Sequence, residues 1–154
     1  MGSTYIFNPS KRFYVCSVCQ NHVASREDYL YKVVDVAEPI LNAGIFEDTV
    51  NLHVPNESQI HLYGNTGNAS NTAFIVVHCN ICNTCLGQTC VLASQPNSRI
   101  KEGRVLLAMT RLLYWNGHQQ VDGNKIELPA GAPQLTRQQL GIPQLKHEQL
   151  VIPE

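Results

Sequence analysis

Two cysteine pairs constrain this chain more than any other feature of it. Cys16-Ser17-Val18-Cys19 and Cys79-Asn80-Ile81-Cys82 each hold two thiols at a two-residue gap, and the pairs stand about sixty residues apart. That gap lets both sulfurs of a pair turn to one ion, and four thiolates fill every position of a tetrahedral zinc site. Such a site ties two distant hairpins together. With no position left open for water, its metal holds structure and does not activate a nucleophile. Cys16, Cys19, Cys79 and Cys82 are therefore the expected ligands of one structural Zn2+. Free buried thiols or a redox pair are the competing readings. Cys85 and Cys90 are surplus. They read as small buried thiols of the strand after the second pair, although Cys85 lies close enough in sequence to compete for the metal. His22, three residues past Cys19, and His78, next to Cys79, are candidates for a substitute ligand or a group supporting one.

In a reducing compartment six cysteines point to metal or reactive thiols, not to disulfides. The opening Met1-Gly2-Ser3-Thr4 leads into Tyr5-Ile6-Phe7 without a basic start and a long apolar stretch, so the expectation is cytoplasm or nucleus, not secretion. No apolar run, Phe74–Val77 and Val105–Met109 being the longest, approaches the ~18 residues of a membrane span. The 154 residues suit one domain, and 44% hydrophobic residues can form a core without disulfide staples. Eleven Lys and Arg face twelve Asp and Glu, for a net charge of −1, which gives no overall pull towards nucleic acid or acidic membranes. Lys11-Arg12 and Arg99-Ile100-Lys101 are the only local basic clusters.

Residues 5–128 alternate short apolar runs with Asn, Gly, Pro and Ser punctuation. Lys32–Val36, Thr49–Val54, Gln59–Tyr63, Thr72–His78 and Gly103–Leu113 are of strand length and rich in Val, Ile, Leu and Tyr, which predicts a mainly antiparallel β domain. Asn116-Gly117 and Asp122-Gly123 read as turns. Arg104–Trp115 is the main ambiguity, since its length also suits a helix. Residues 129–154 form a second zone, a tail with a ten-residue repeat built on Pro-Gln-Leu and Gln-Leu. Leu135, Leu140, Leu145 and Leu150 recur every five residues, which fits neither a helix face nor a strand face. The tail reads either as a flexible appendage or as a linear motif whose leucines dock on a partner or on a second copy of the chain.

Four segments, in order, resemble Yippee-domain proteins. Cys16–Lys32 is similar to their opening knuckle and the strand after it. Phe46–Val54 resembles their central segment, Cys79–Gly87 their second knuckle with its Leu-Gly step, and Ile100–Leu107 the Tyr-Lys-Glu-Gly-Lys-Phe-Ile-Leu run near the end of the domain. The chain departs from that pattern at Gly87-Gln88-Thr89-Cys90, where the family usually carries Gly-Trp-Lys-Tyr. The resemblance implies a β-tent, two antiparallel sheets clamped by one structural zinc. That architecture also occurs in centromere-licensing proteins of the Mis-eighteen type, in the thalidomide-binding domain of cereblon, in type B methionine sulfoxide reductases and in RNA-sensing domains.

Fold alone does not choose among such functions. The resemblance implies a non-catalytic interaction or scaffold subunit of a larger assembly, of the ubiquitin-ligase or centromere type, with other protein subunits or a second copy of the chain as partners. Three alternatives remain open. A cereblon-like ligand cage needs aromatic walls, for which Trp115 and Tyr114 are the candidates. A reductase needs a nucleophilic thiolate, Cys90 or Cys85, with His78 or His118 beside it. Direct nucleic-acid binding needs a basic cleft and is not favoured by the charge.

Overall fold

The computed structural model describes residues 4–34, 42–55, 60–65, 68–93, 101–125 and 134–136. Strands and tight turns make up nearly all of them, with three 3-10 turns and no α-helix among the described residues. In chain order the strands are β1 Phe13–Cys16, β2 His22–Ser25, β3 Tyr29–Val34, β4 Ala43–Phe46, β5 Leu52–His53, β6 His61–Asn65, β7 Asn68–Cys79, β8 Cys85–Ala93, β9 Val105–Ala108, β10 Leu112–Trp115, β11 Gln120–Asp122 and β12 Gln134–Thr136.

They build two sheets. The smaller runs β11-β10-β1-β2, and the larger runs β12-β3-β4-β9-β8-β7-β5, with β6 also paired to β7. Leu52 and His53 pair with the Cys79 end of β7, while His61–Asn65 pair further towards its start. Every pairing is antiparallel except β12, which adds to β3 in parallel through Gln134–Lys32, Leu135–Val33 and Thr136–Val34. The mainly β, two-sheet expectation therefore holds, with one parallel pairing that the antiparallel reading did not include.

The helix-length run 104–115 resolves into two strands. β9 lies in the larger sheet and β10 in the smaller, and the 3-10 turn Met109–Arg111 carries the chain between them. The 3-10 turn Arg26–Asp28 does the same between β2 and β3, capped by Ser25, whose side chain accepts from the Glu27 N–H. The apolar run Val105-Leu106-Leu107 lacks polar alternation because its sheet is buried on both faces. Val105 and Leu107 enter the main core between the sheets, with Tyr14, Phe46, Leu86, Leu112 and Tyr114. Leu106 points the other way, to a second apolar layer with Val33, Ile45, Phe74 and Cys90.

β8 and β9 approach so closely at one point that only glycine fits. A Cβ on Gly87 would run into the Leu106 carbonyl oxygen and lie 2.9 Å from the Leu107 Cα. The Leu86-Gly87 step thus has a packing reason: Leu86 fills the core, and Gly87 lets its neighbour strand draw near.

Candidate metal centre

Each cysteine pair is the turn of a hairpin. Cys16 ends β1 and Cys19 lies in the turn to β2, in the smaller sheet; Cys79 ends β7 and Cys82 lies in the turn to β8, in the larger. The two turns share one backbone plan. The residue after the second cysteine takes a left-handed conformation, φ 64° at Gln20 and 61° at Asn83. Its N–H returns to the carbonyl of the first cysteine, Gln20 to Cys16 at 2.8 Å and Asn83 to Cys79 at 2.9 Å. The first cysteine's own N–H then bonds the carbonyl of the next residue, Cys16 to Asn21 at 2.8 Å and Cys79 to Thr84 at 2.9 Å. Asn and other polar residues tolerate the left-handed region that this turn demands.

The two turns meet. Cys16 Sγ lies 3.6 Å from Cys82 Sγ, and Cys19 Sγ 3.5 Å from Cys79 Sγ, so each contact crosses from one hairpin to the other. All four sulfurs lie within 4.8 Å of one another, and all are free thiols. Among the described residues, these four form the only such group of His, Cys, Asp and Glu. A tetrahedral ion with metal–sulfur bonds of ~2.3 Å sets its sulfurs about 3.8 Å apart, so the donor set matches zinc in number, softness and spacing.

Two buried polar residues serve the sulfurs. The Asn21 Nδ2 donates to Cys79 Sγ at 3.3 Å and to Asn80 Oδ1 at 2.8 Å, bonding across the two hairpins. The Thr84 hydroxyl lies 3.1 Å from Cys82 Sγ and can donate to it once the thiol has lost its proton. Burial raises the Cys16 and Cys19 thiols above the ordinary range. Burial also acts to raise Cys82, but the Thr84 hydroxyl and N–H and the neighbouring Cys19 and Cys16 outweigh it and bring it down to about 7. Asn51 braces the site from outside, itself left-handed at φ 60°. Its Nδ2 donates to the His22 carbonyl, and its own carbonyl accepts from the Asn80 N–H.

The other sequence candidates are placed elsewhere. His22 lies outside the sulfur cluster: its Nδ1 accepts from the Phe7 N–H at 2.8 Å, and its ring packs 4.3 Å from that of Phe13. His78 shares the Asn83 Oδ1 with His53, at 3.2 and 2.9 Å. Cys85 and Cys90 are both buried in β8, and burial raises both thiols. His118 lies in the β10–β11 turn of the smaller sheet, whereas Cys90 faces the second apolar layer of the larger. Tyr114 and Trp115 are consecutive on β10 and point to opposite faces. Tyr114 enters the core, 5.0 Å from the Tyr14 ring, while the Trp115 Nε1 donates to the Pro9 carbonyl outside it. The two therefore share no wall of a cage. Leu135 lies in β12, and Leu140, Leu145 and Leu150 lie outside the described residues.

Sequence reasoning identified the four thiols but not Asn21, Thr84 or Asn51. The signal was present for the first two: each stands two residues after the second cysteine of its pair, the same position in both hairpins. Asn51 carried no such signal, because its partners come from Tyr5, His22 and Asn80.

The fold and site define the class: a two-sheet β domain of the β-tent kind, with a four-thiol cluster joining one hairpin of each sheet. No family profile and no curated protein matches the chain. Among solved structures, the chain is similar to a crystal structure of the Mis18 "Yippee-like" domain, at 14% identity and a TM-score of 0.47, over 69% of this chain and 96% of that one.

Proposed function

We propose that the chain is a non-catalytic, zinc-stabilised interaction module, a subunit of a larger protein assembly. The observation that carries this is the closed thiol set. Four sulfurs from two hairpins converge within 4.8 Å, so a bound zinc would have all its positions filled by protein. Cys16, Cys19, Cys79 and Cys82 would hold it, and it would supply cross-linking, not Lewis-acid chemistry at a substrate.

The surplus thiols support the same conclusion. A nucleophilic cysteine needs a depressed pKa and access to substrate, whereas Cys85 and Cys90 are buried and their pKa values are raised. The four-segment resemblance to Yippee-domain chains supports an assembly subunit of the ubiquitin-ligase or centromere type, and the leucine repeat of the tail supplies a docking element. Two measurements test the proposal. Metal analysis of the purified chain should give about one zinc per chain. Affinity purification with mass spectrometry, with and without the residues after Pro129, should recover a defined set of proteins with the full chain and lose part of it on truncation. No protein enriched above background with either chain would overturn the interaction role.

A further inference from the structure

A cleft of about 280 Å³ opens beside the β2–β3 corner, away from the thiol cluster. Its walls differ in chemistry. One is aromatic: Tyr5 and Phe7, their ring centroids 5.0 Å apart at 73°. Another is acidic, with Asp28 from the 3-10 turn and Asp48 from the segment after β4, and Ala24 and Val50 add apolar surface.

The aromatic wall is held in place. The Tyr5 N–H donates to Asn51 Oδ1 at 2.8 Å, and the Tyr5 carbonyl accepts from Asn51 Nδ2 at 2.8 Å. The Phe7 N–H donates to His22 Nδ1 at 2.8 Å, and the Phe7 ring stacks on the His22 ring at 5.8 Å with 9° between the planes. Three side-chain hydrogen bonds thus pin a segment with no regular secondary structure along one wall of the cleft. Across it, the Glu47 N–H bonds the Asp28 carbonyl and the Val50 N–H bonds the Val23 carbonyl, which fixes the acidic wall to the corner.

The carboxylates have no counter-charge beside them: Asp48 is exposed, and its Oδ1 accepts from the Thr49 N–H, a neutral donor, at 2.9 Å. Glu47 pairs with Arg104 at 3.1 Å, but neither Asp28 nor Asp48 has a cationic partner among the described residues. Burial, and then the charges of Asp48, Glu27 and Glu47, raise the pKa of Asp28. A group in that position gains from a cation brought in from outside. Aromatic faces attract the same kind of ligand, because their quadrupole is negative over the ring. The volume falls just below the ~300–1,000 Å³ of cofactor and drug-sized sites, which suits one long side chain.

We propose that this cleft receives a basic side chain, lysine or arginine, presented by a partner polypeptide. The carboxylates take its charged head and the rings its stem and the flank of its charge. The proposal rests on the interaction-module reading and names the chemistry of the partner.

The test uses the full chain and three synthetic peptides, acetyl-Gly-Gly-Xaa-Gly-Gly-amide with lysine, arginine or norleucine at Xaa, followed by amide chemical-shift changes. The expected result is that the lysine or arginine peptide shifts the amides of Ala24, Ser25, Asp28, Thr49 and Val50, and the norleucine peptide does not. Asp28→Asn and Asp48→Asn should each weaken the basic peptide about tenfold, and Tyr5→Ala should weaken it without altering the melting temperature. Equal shifts with norleucine, shifts confined to other residues, or no shift at millimolar peptide would overturn the proposal. So would calcium chloride shifting these amides when neither basic peptide does, since that would make the carboxylates a metal site. The two readings fail separately. If the full chain captures partners and Asp28→Asn, Asp48→Asn captures the same set, the module stands and the cleft falls.

Discussion

Tyr14 is wholly enclosed between the sheets, edge-on to Tyr29 and Phe46 at 5.7 and 5.4 Å. Its ring supplies core packing, but its hydroxyl is buried with no hydrogen-bond partner among the described residues, and burial drives the phenol pKa far up. A buried hydroxyl left unpaired costs about 1–3 kcal/mol, while the ring alone keeps the packing. Tyr14→Phe should therefore stabilise the protein by about 1 kcal/mol, read as a rise in melting temperature. A fall would show that the hydroxyl is bonded, through a buried water for instance. Thr84 is the opposite case, a buried hydroxyl with a sulfur to serve. Thr84→Val keeps the shape and removes the bond to Cys82, so the metal should be held about tenfold more weakly. Competition with a chromophoric chelator measures this, and unchanged affinity would assign Thr84 to packing alone.

At the scale of elements, the corners do the organising. β2 and β3 meet at Arg26–Asp28, β9 and β10 at Met109–Arg111, and at both corners the chain leaves one sheet for the other. The second corner explains why Arg104–Trp115 was ambiguous as sequence. Val105, Leu106 and Leu107 are all buried because the larger sheet has apolar layers on both faces, and that removes the period-2 signal that distinguishes a strand from a helix. The pairing of Gln134–Thr136 with β3 was equally hidden, because parallel partners can lie far apart in sequence and leave no turn between them. Gly87 is the element-level position most exposed to test. Any side chain there meets the backbone of Leu106, which cannot rotate away. Gly87→Ala should force β8 and β9 apart and cost about 2–3 kcal/mol, seen as a lower denaturation midpoint; an unchanged midpoint would mean that the strands part freely.

For the whole molecule, the thiol cluster is the link between the two sheets that the sequence showed in advance. Its four thiols were legible because two-residue spacing is local and repeated, whereas the cleft beside Tyr5 was not, since it is assembled from Tyr5, Ala24, Asp28 and Asp48, which share no local pattern. The cluster brings together the ends of hairpins from both sheets, so a metal bound there would act on the fold as a cross-link absent from the unfolded chain. Structural zinc in small domains contributes on the order of 10 kcal/mol of apparent free energy coupled to folding, comparable with the whole stability of a typical domain, ~5–15 kcal/mol. Removing zinc with a chelator, or the Cys19→Ser and Cys82→Ser substitutions, should therefore collapse the melting transition. Protons set the direction of the pH effect. Without metal, burial keeps Cys16 and Cys19 protonated at neutral pH, while Cys82, near 7, is already partly ionised. Zinc must displace the protons that remain, so its affinity rises with pH and falls on acidification, as protons compete with the metal for the four sulfurs. Thermal melts of the zinc-loaded chain from pH 8 down to pH 5 should show stability falling together with zinc content. A melting temperature that stays constant while zinc is lost would remove the metal from the account of how this fold is held.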